Sequence, residues 1–144
     1  ITERSENAAE YGFGEGTTCY DSVVILGDVK VGKNCWIGPN VLLDGTGGLE
    51  IGDYVCIDSG VQIYSHDSSQ RFVNFGKTED PRAPTKIGSG VFIGPNALIT
   101  MGVSIGDRVM IGAMSFVNKS IPSGSVAFGS PARVTRKLEA IDPS

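Results

Sequence analysis

The stretch IGSGVFIGPNALITMGVSIGDRVMIGAMSFV, residues 87–117, decides the fold. Ile87, Ile93, Ile99, Ile105, Ile111 and Val117 follow one another every six residues, and Gly88, Gly94, Gly106 and Gly112 come directly after four of them. Two positions before the next apolar residue stand Val91, Ala97, Val103 and Val109. A strand alternates its side chains with period two, so a period of six fits strands only if each is short and ends at a sharp corner. Glycine relieves the backbone at such corners, where a Cβ would clash. Traced backwards, the same grid runs through Phe13, Cys19, Ile25, Val31, Ile37 and Leu43, then resumes at Ile51, Ile57 and Ile63. The chain reads as [LIV]-G-x-x-[VA]-x repeated fifteen times, with the glycine present in eight of the repeats.

A solenoid with three short strands per coil explains this period, because stacked coils then bring the apolar residues into register along a narrow interior column. Fifteen hexads at three per coil predict about five coils. An antiparallel sandwich would instead show turns at irregular intervals of roughly 8 to 12 residues.

The grid breaks twice. Leu43 to Ile51 is eight residues, so Gly45, Thr46, Gly47 and Gly48 are expected to form a two-residue bulge at a corner. Ile63 to Ile87 is twenty-four residues, and the sequence from Ser65-His66-Asp67 to Arg82-Ala83-Pro84 carries no hexad pattern. This predicts a long loop over about 67–86, an excursion that compact domains seldom carry without a purpose. Beyond Val117 the motif fades through Pro122 and Gly124. Pro131 suits a first helical position, so Ala132 to Ile141 is expected to be a short helix capping the open end. The reading is one all-β domain over 1–144, with a solenoid at 13–122 and a C-terminal extension at 123–144.

Composition agrees. Twenty glycines in 144 residues are about twice the usual share of roughly 7%, and charged residues, at 19%, fall below the roughly 25% average. Helix bundles and coiled coils are disfavoured, and the 40% hydrophobic content and net charge of -4 argue against disorder. No apolar run approaches the roughly 18 to 20 residues of a membrane-spanning helix, and the N-terminus lacks the features of a signal peptide. A soluble, cytoplasmic protein is expected, with residues upstream of Ile1 left open because the chain does not begin with Met. Cys19, Cys35 and Cys56 have no metal-ligand spacing, which fits reduced thiols and no metal site.

Residues Phe13 to Leu138 resemble the hexapeptide-repeat acyltransferases. The C-terminal half, with Ile93-Gly94-Pro95-Asn96, Ile111-Gly112-Ala113, Asn118-Lys119-Ser120-Ile121-Pro122 and Gly129-Ser130-Pro131-Ala132-Arg133-Val134, is similar to the maltose, galactoside and polysaccharide O-acetyltransferase branch. The resemblance implies a left-handed parallel β-helix and a homotrimer, with acetyl-CoA lying between neighbouring protomers. It also implies transfer of an acetyl group to a hydroxyl of a carbohydrate acceptor by direct attack in a ternary complex.

Such a transfer needs a base with a pKa near neutrality to remove the hydroxyl proton. His66 is the only histidine and stands where the last regular strand enters the long loop. By resemblance it is the catalytic base; Asp67, Glu79 and Asp80 are candidates to orient its ring. From Arg108 to Leu138 the chain holds Arg108, Lys119, Arg133, Arg136 and Lys137 and no acidic residue, a local basic patch suited to the phosphates of CoA. The resemblance assigns the Ala113 backbone to the pantetheine arm, Asn118 and Lys119 to its flanks, and Arg133 and Arg136 to the nucleotide phosphates, and it makes Pro95 a cofactor-binding position where the family often has serine. The loop from Ser68 to Thr85 is expected to reach a neighbouring protomer and wall the acceptor site.

Other readings are N-acetylation of an amino sugar carried on a nucleotide and a non-catalytic scaffold. The γ-type carbonic anhydrases share this helix, but their metal needs three histidines and only one is present. Nucleic-acid binding is not expected of an acidic chain without an extended basic face.

Overall fold

The computed structural model describes residues 3–141. The last three residues of the expected C-terminal extension lie outside the described residues. Before the long loop the chain forms β1 (Glu3–Arg4), α1 (Ser5–Glu10), β2 (Thr18–Tyr20), β3 (Val24–Val31), β4 (Trp36–Ile37), β5 (Leu42–Ile51), β6 (Cys56–Ile57) and β7 (Gln62–Ile63). The loop carries α2 (Ser69–Val73). Then follow β8 (Thr85–Ile87), β9 (Val91–Ile93), β10 (Leu98–Ile99), β11 (Ser104–Ile105), β12 (Val109–Ile111), β13 (Phe116–Val117), β14 (Ser125–Gly129) and β15 (Ala132–Lys137).

The strands stack in parallel as a β-solenoid, and the six-residue grid becomes three interior columns. Cys19, Ile37, Ile57, Ile93, Ile111 and Ala127 are successive cross-strand partners, each with no exposed surface. Leu43, Ile63, Ile99 and Val117 form a second column, begun by the partly buried Ile25. Val31, Ile51, Ile87 and Ile105 form the third, and a bridge from Ile105 extends it to Ile121. Each fully buried isoleucine contributes roughly 1.5–3 kcal/mol relative to an exposed one, so the columns form the main stabilising core.

The glycines after these residues lie where one coil meets the next. A Cβ at Gly88 would stand 2.6 Å from the carbonyl oxygen of Gly106, closer than any side chain tolerates. At one corner, side chains link the coils: Asp53 accepts from the backbone N–H of Lys33, Ser89 from Asp53, Asp107 from Ser89 and Ser123 from Asp107. The chain leaves its strands there, and this ladder satisfies amides that the sheets do not.

The structure differs from the sequence expectations in three places. There is a sixth turn, because Ile121 and Ala127 continue two of the columns. Only four residues separate Val117 from Ile121, and that shortened step hides the turn from a six-residue grid. The second difference lies at Gly45–Gly48, where β5 runs unbroken beside β3. Gly27 pairs with Gly45 and Val29 with Leu49, so the two extra residues bulge within a continuous strand.

Thirdly, Ala132–Ile141 is not a helix. Ala132–Lys137 is β15, antiparallel to β14. The edge of β14 offers unpaired backbone groups, and the β-branched Val134 and Thr135 favour pairing with that edge over a helical turn. At the other end, β1 pairs antiparallel with β2. Among the described residues no helix is long and apolar enough to cross a membrane.

Candidate active site

The two interruptions of the grid meet at His66. The loop leaves the solenoid after β7 and returns at β8, and its ends are fastened to each other. Ala83 donates its backbone N–H to the Ser65 carbonyl (3.1 Å) and Asp67 donates to the Pro81 carbonyl (3.1 Å), with an antiparallel bridge between His66 and Arg82. The Thr85 hydroxyl closes the base by donating to the Tyr64 carbonyl (2.7 Å). The residues at the loop's exit are thus as firmly held as a strand, and His66 projects from this clamp.

The stretch of β5 leading into its bulge supplies the partner of the imidazole. Asp44 hydrogen-bonds His66 Nδ1, and Thr46 Oγ1 lies 3.2 Å from the same nitrogen. The Asp44 side chain has no exposed surface, whereas a quarter of His66 (26%) is open to solvent. The carboxylate also accepts the backbone N–H of Thr46 (3.0 Å) and of Ser65 (3.0 Å). Ser65 completes the cradle by donating its hydroxyl to the Asp44 carbonyl (2.7 Å) and accepting the N–H of Gly47 (2.9 Å).

Burial would raise the Asp44 carboxyl, but hydrogen bonds from the Ser65 and Thr46 amides and from His66 outweigh it and hold the group below its ordinary value. An ionised Asp44 keeps the imidazole proton on Nδ1, so Nε2 carries the lone pair. The arrangement is a base with a fixed tautomer.

His66 opens onto a cleft of ≈ 500 Å³ lined by Tyr64, His66, Asp67, Ser68, Thr100 and Met101. Tyr64 stands edge-on to the imidazole with ring centroids 6.2 Å apart, and its hydroxyl is anchored by donating to Gln62 (2.6 Å). Because Ile63, Ile99 and Val117 are in register, Tyr64, Thr100 and Asn118 occupy the same position on successive coils. Asn118 and Lys119, both exposed, therefore continue the wall made by Thr100 and Met101.

Pro95 and Ala113 lie at the opposite end of the same strands, on adjacent coils, where Met114 donates its N–H to the Pro95 carbonyl (2.9 Å). Pro95 and Ala113 sit at the corners that lead into β10 and β13, whereas Thr100 and Asn118 follow those strands. The expected cofactor residues thus form two groups, at the two ends of one face.

Arg133 and Arg136 stand opposite Phe128 and Val126 on β15, and both are exposed. A register shift between Val126 and Ala127 puts one extra residue in β15 at this point, which brings both arginines to the outer face. Two other members of the basic patch tie down the C-terminal segment: Arg108 donates to the Glu139 carbonyl (2.9 Å), and Lys137 of β15 donates to Ser125 of β14 (3.1 Å).

None of the three carboxylates considered from sequence orients the imidazole. Asp67 accepts the N–H of Ser69 (2.9 Å), and Asp80 is bound by Arg71 (2.9 Å) and by the Ser68 hydroxyl (3.1 Å). Glu79 lines a separate groove with Arg71, Asp80 and Arg82. Sequence reading missed Asp44, although one signal marked it: it is the residue immediately before the first break in the grid.

The fold is a parallel β-solenoid of six-residue repeats, and a carboxylate-paired histidine stands at the root of its loop. Family comparisons agree: the model described as bacterial transferase hexapeptide (six repeats) matches residues 84–119, and the hexapeptide repeat of succinyl-transferase matches residues 24–65. The chain belongs to the hexapeptide-repeat acyltransferase family.

It is 39% identical over 108 residues to serine acetyltransferase 2 of Arabidopsis thaliana, covering 75% of this chain and 32% of that protein. It is 33% identical over 117 residues to galactoside O-acetyltransferase of Escherichia coli, covering 80% of this chain and 57% of that protein. The chain therefore spans from a third to somewhat over half of these relatives. A hexapeptide-repeat acetyltransferase of Vibrio cholerae, solved in complex with acetyl coenzyme A, superposes with a TM-score of 0.68 at 28% identity, over 92% of this chain and 74% of that one.

Proposed function

We propose that this protein is an acetyltransferase that moves an acetyl group from acetyl-CoA to a hydroxyl of a carbohydrate acceptor. The observation that carries the reading is the Asp44–His66 pair, with Nδ1 held by a buried carboxylate and Nε2 free toward the cleft. The acetyl-CoA complex of the Vibrio cholerae relative and the basic C-terminal strand support the choice of donor.

In this mechanism the acceptor hydroxyl lies within hydrogen-bonding reach of Nε2. As its oxygen attacks the thioester carbon, Nε2 takes its proton and Asp44 stabilises the imidazolium that forms. The tetrahedral intermediate collapses, the C–S bond breaks, and the departing thiolate recovers the proton from His66 to give CoA and the acetyl ester. Atoms and charge balance with no other reactant. Lys119, Arg133 and Arg136 would face the CoA phosphates, where arginine forks match phosphate oxygens. Pro95, Ala113 and Asn118 would line the path of the pantetheine arm.

A homotrimer belongs to the same proposal. The outer face of one sheet carries Trp36, Cys56, Phe92 and Met110 as successive cross-strand partners, with Phe92 and Met110 exposed. An apolar stripe of that kind marks a surface that another chain covers. The test is CoA thiol release from acetyl-CoA with a panel of sugars, amino sugars and nucleotide sugars. Release with neutral sugars is the expected result. Release only with amino sugars would make the enzyme an N-acetyltransferase, and absence of both binding and turnover of acetyl-CoA would refute the reading.

A further inference from the structure

The cleft beside His66 has an uneven charge. Of its six lining residues Asp67 carries the one carboxylate, and among the described residues no lysine or arginine forms an ion pair with Asp67. The other nearby loop carboxylate is different: Asp80 is bound by Arg71 and Ser68. Asp67 is also well placed. Its backbone is clamped by the hydrogen bond to Pro81, and its Oδ1 is fixed by the N–H of Ser69 at the first turn of α2. The contacts from Ser69 hold the carboxyl below its ordinary value, assisted by its proximity to His66. The group is therefore an exposed anion one residue from His66, held by its turn on the wall of the cleft.

We propose that Asp67 selects the acceptor by charge. It accepts a hydrogen bond from a second donor beside the reacting group, as a vicinal hydroxyl of a neutral sugar provides, and it repels acceptors that carry a carboxylate or phosphate at that position. The inference rests on the acetyl-transfer reading above and names the substrate class at that site. The physical basis is twofold. A hydrogen bond to an ionised acceptor is about twice as strong as a neutral one. Two like charges brought within a few ångströms of each other repel, and at an exposed site salt screens that repulsion. Tyr64, with its hydroxyl tied to Gln62, adds a rigid aromatic wall on which a sugar ring can rest.

The experiment compares the full chain with D67N, using acetyl-CoA and paired acceptors that differ only in charge, such as a hexose and its uronate, with an amino sugar as a third arm. Asparagine keeps the oxygen that accepts from Ser69, so the loop turn is retained, and circular dichroism checks the fold. The expected result is a rise in KM for the hexose of on the order of tenfold, with kcat and the KM for acetyl-CoA within about twofold. The preference for hexose over uronate should fall by a similar factor. D67E, which restores the charge, should recover part of that preference. A purely structural role would lower kcat with all acceptors alike. Turnover with an unchanged hexose-to-uronate ratio in D67N overturns the inference and leaves the transferase reading intact. Wild-type preference for the amino sugar over the hexose assigns the second donor to an ammonium group and overturns the sugar-hydroxyl form. Failure to turn over acetyl-CoA with any acceptor overturns both.

Discussion

Asp44 and His66 stand 22 residues apart in the chain, one in a strand just ahead of its bulge and the other at the root of a loop, and they meet because β5 and β7 are neighbours in one sheet. Their hydrogen bond joins the two irregular segments of an otherwise periodic chain. Each insertion has little effect on the solenoid core, since the columns on either side of it stay in register. Together they build a polar site on an apolar frame.

Replacing His66 by alanine removes the group that takes the acceptor's proton in the proposed mechanism. The kcat for CoA release should fall by roughly 10²–10⁴-fold. Thermal stability should change little, because the side chain is partly exposed.

In Asp44→Asn the imidazole loses the anion that fixes its tautomer and stabilises its charged form. A fall in kcat of on the order of 10²-fold or more is expected, with KM for acetyl-CoA little changed. The same variant tests linkage. The Asp44 carboxyl is held below its ordinary value in the folded protein, so its ionised form stabilises the fold above the unfolded-state value, near 3.9, and that contribution disappears as pH falls through the lower folded-state value. Urea unfolding across the acid range should show a difference between wild type and D44N that shrinks as pH drops through this window.

Gly47 is packed under the loop root. A Cβ there would collide with the Ser65 carbonyl and come within 3.1 Å of the Ala83 nitrogen and 3.2 Å of the Arg82 Cβ. Gly47→Ala should therefore displace the segment that holds His66. Activity should drop by tenfold or more, as about 1 Å of misplacement can cost on the order of 10²-fold. The test is kcat measured beside a denaturation curve, with activity the more affected.

Arg133 and Arg136 share one outer face of β15. Substituting both with glutamine should raise KM for acetyl-CoA by on the order of tenfold and flatten its dependence on salt, while kcat stays near the wild-type value. An isothermal titration with CoA at two ionic strengths checks this directly.

Ile93 lies in the middle of the first interior column, with no exposed surface. Ile93→Ala leaves a cavity between coils that rigid neighbours cannot fill. The expected loss is about 2–5 kcal/mol in denaturant unfolding.

Much of this was legible in the sequence because a period of six is a strong constraint. Ile87 to Val117 can satisfy that period as a strand solenoid, and the positions of Ile51, Ile57 and Ile63 confirm the same geometry upstream. The histidine of the candidate site was legible for a similar reason: His66 stands where the grid stops. The C-terminal strand was less so. Pro131 and the residues after it are compatible with a helix locally, and only the unpaired edge of β14 draws Ala132–Lys137 into a sheet. The sixth turn escaped because Val117 to Ile121 is two residues short of the grid.

By itself, then, the sequence determined the fold and the single histidine, since inward-facing apolar residues repeat along the chain and repetition is visible in one dimension. The tertiary structure decided which carboxylate serves that histidine. Asp67 is next to His66 in sequence but is engaged by Ser69, while Asp44 reaches the ring because parallel stacking places β5 against β7. Hydrogen bonds depend on distances across coils, and the register that sets those distances includes a bulge whose course sequence spacing alone does not specify.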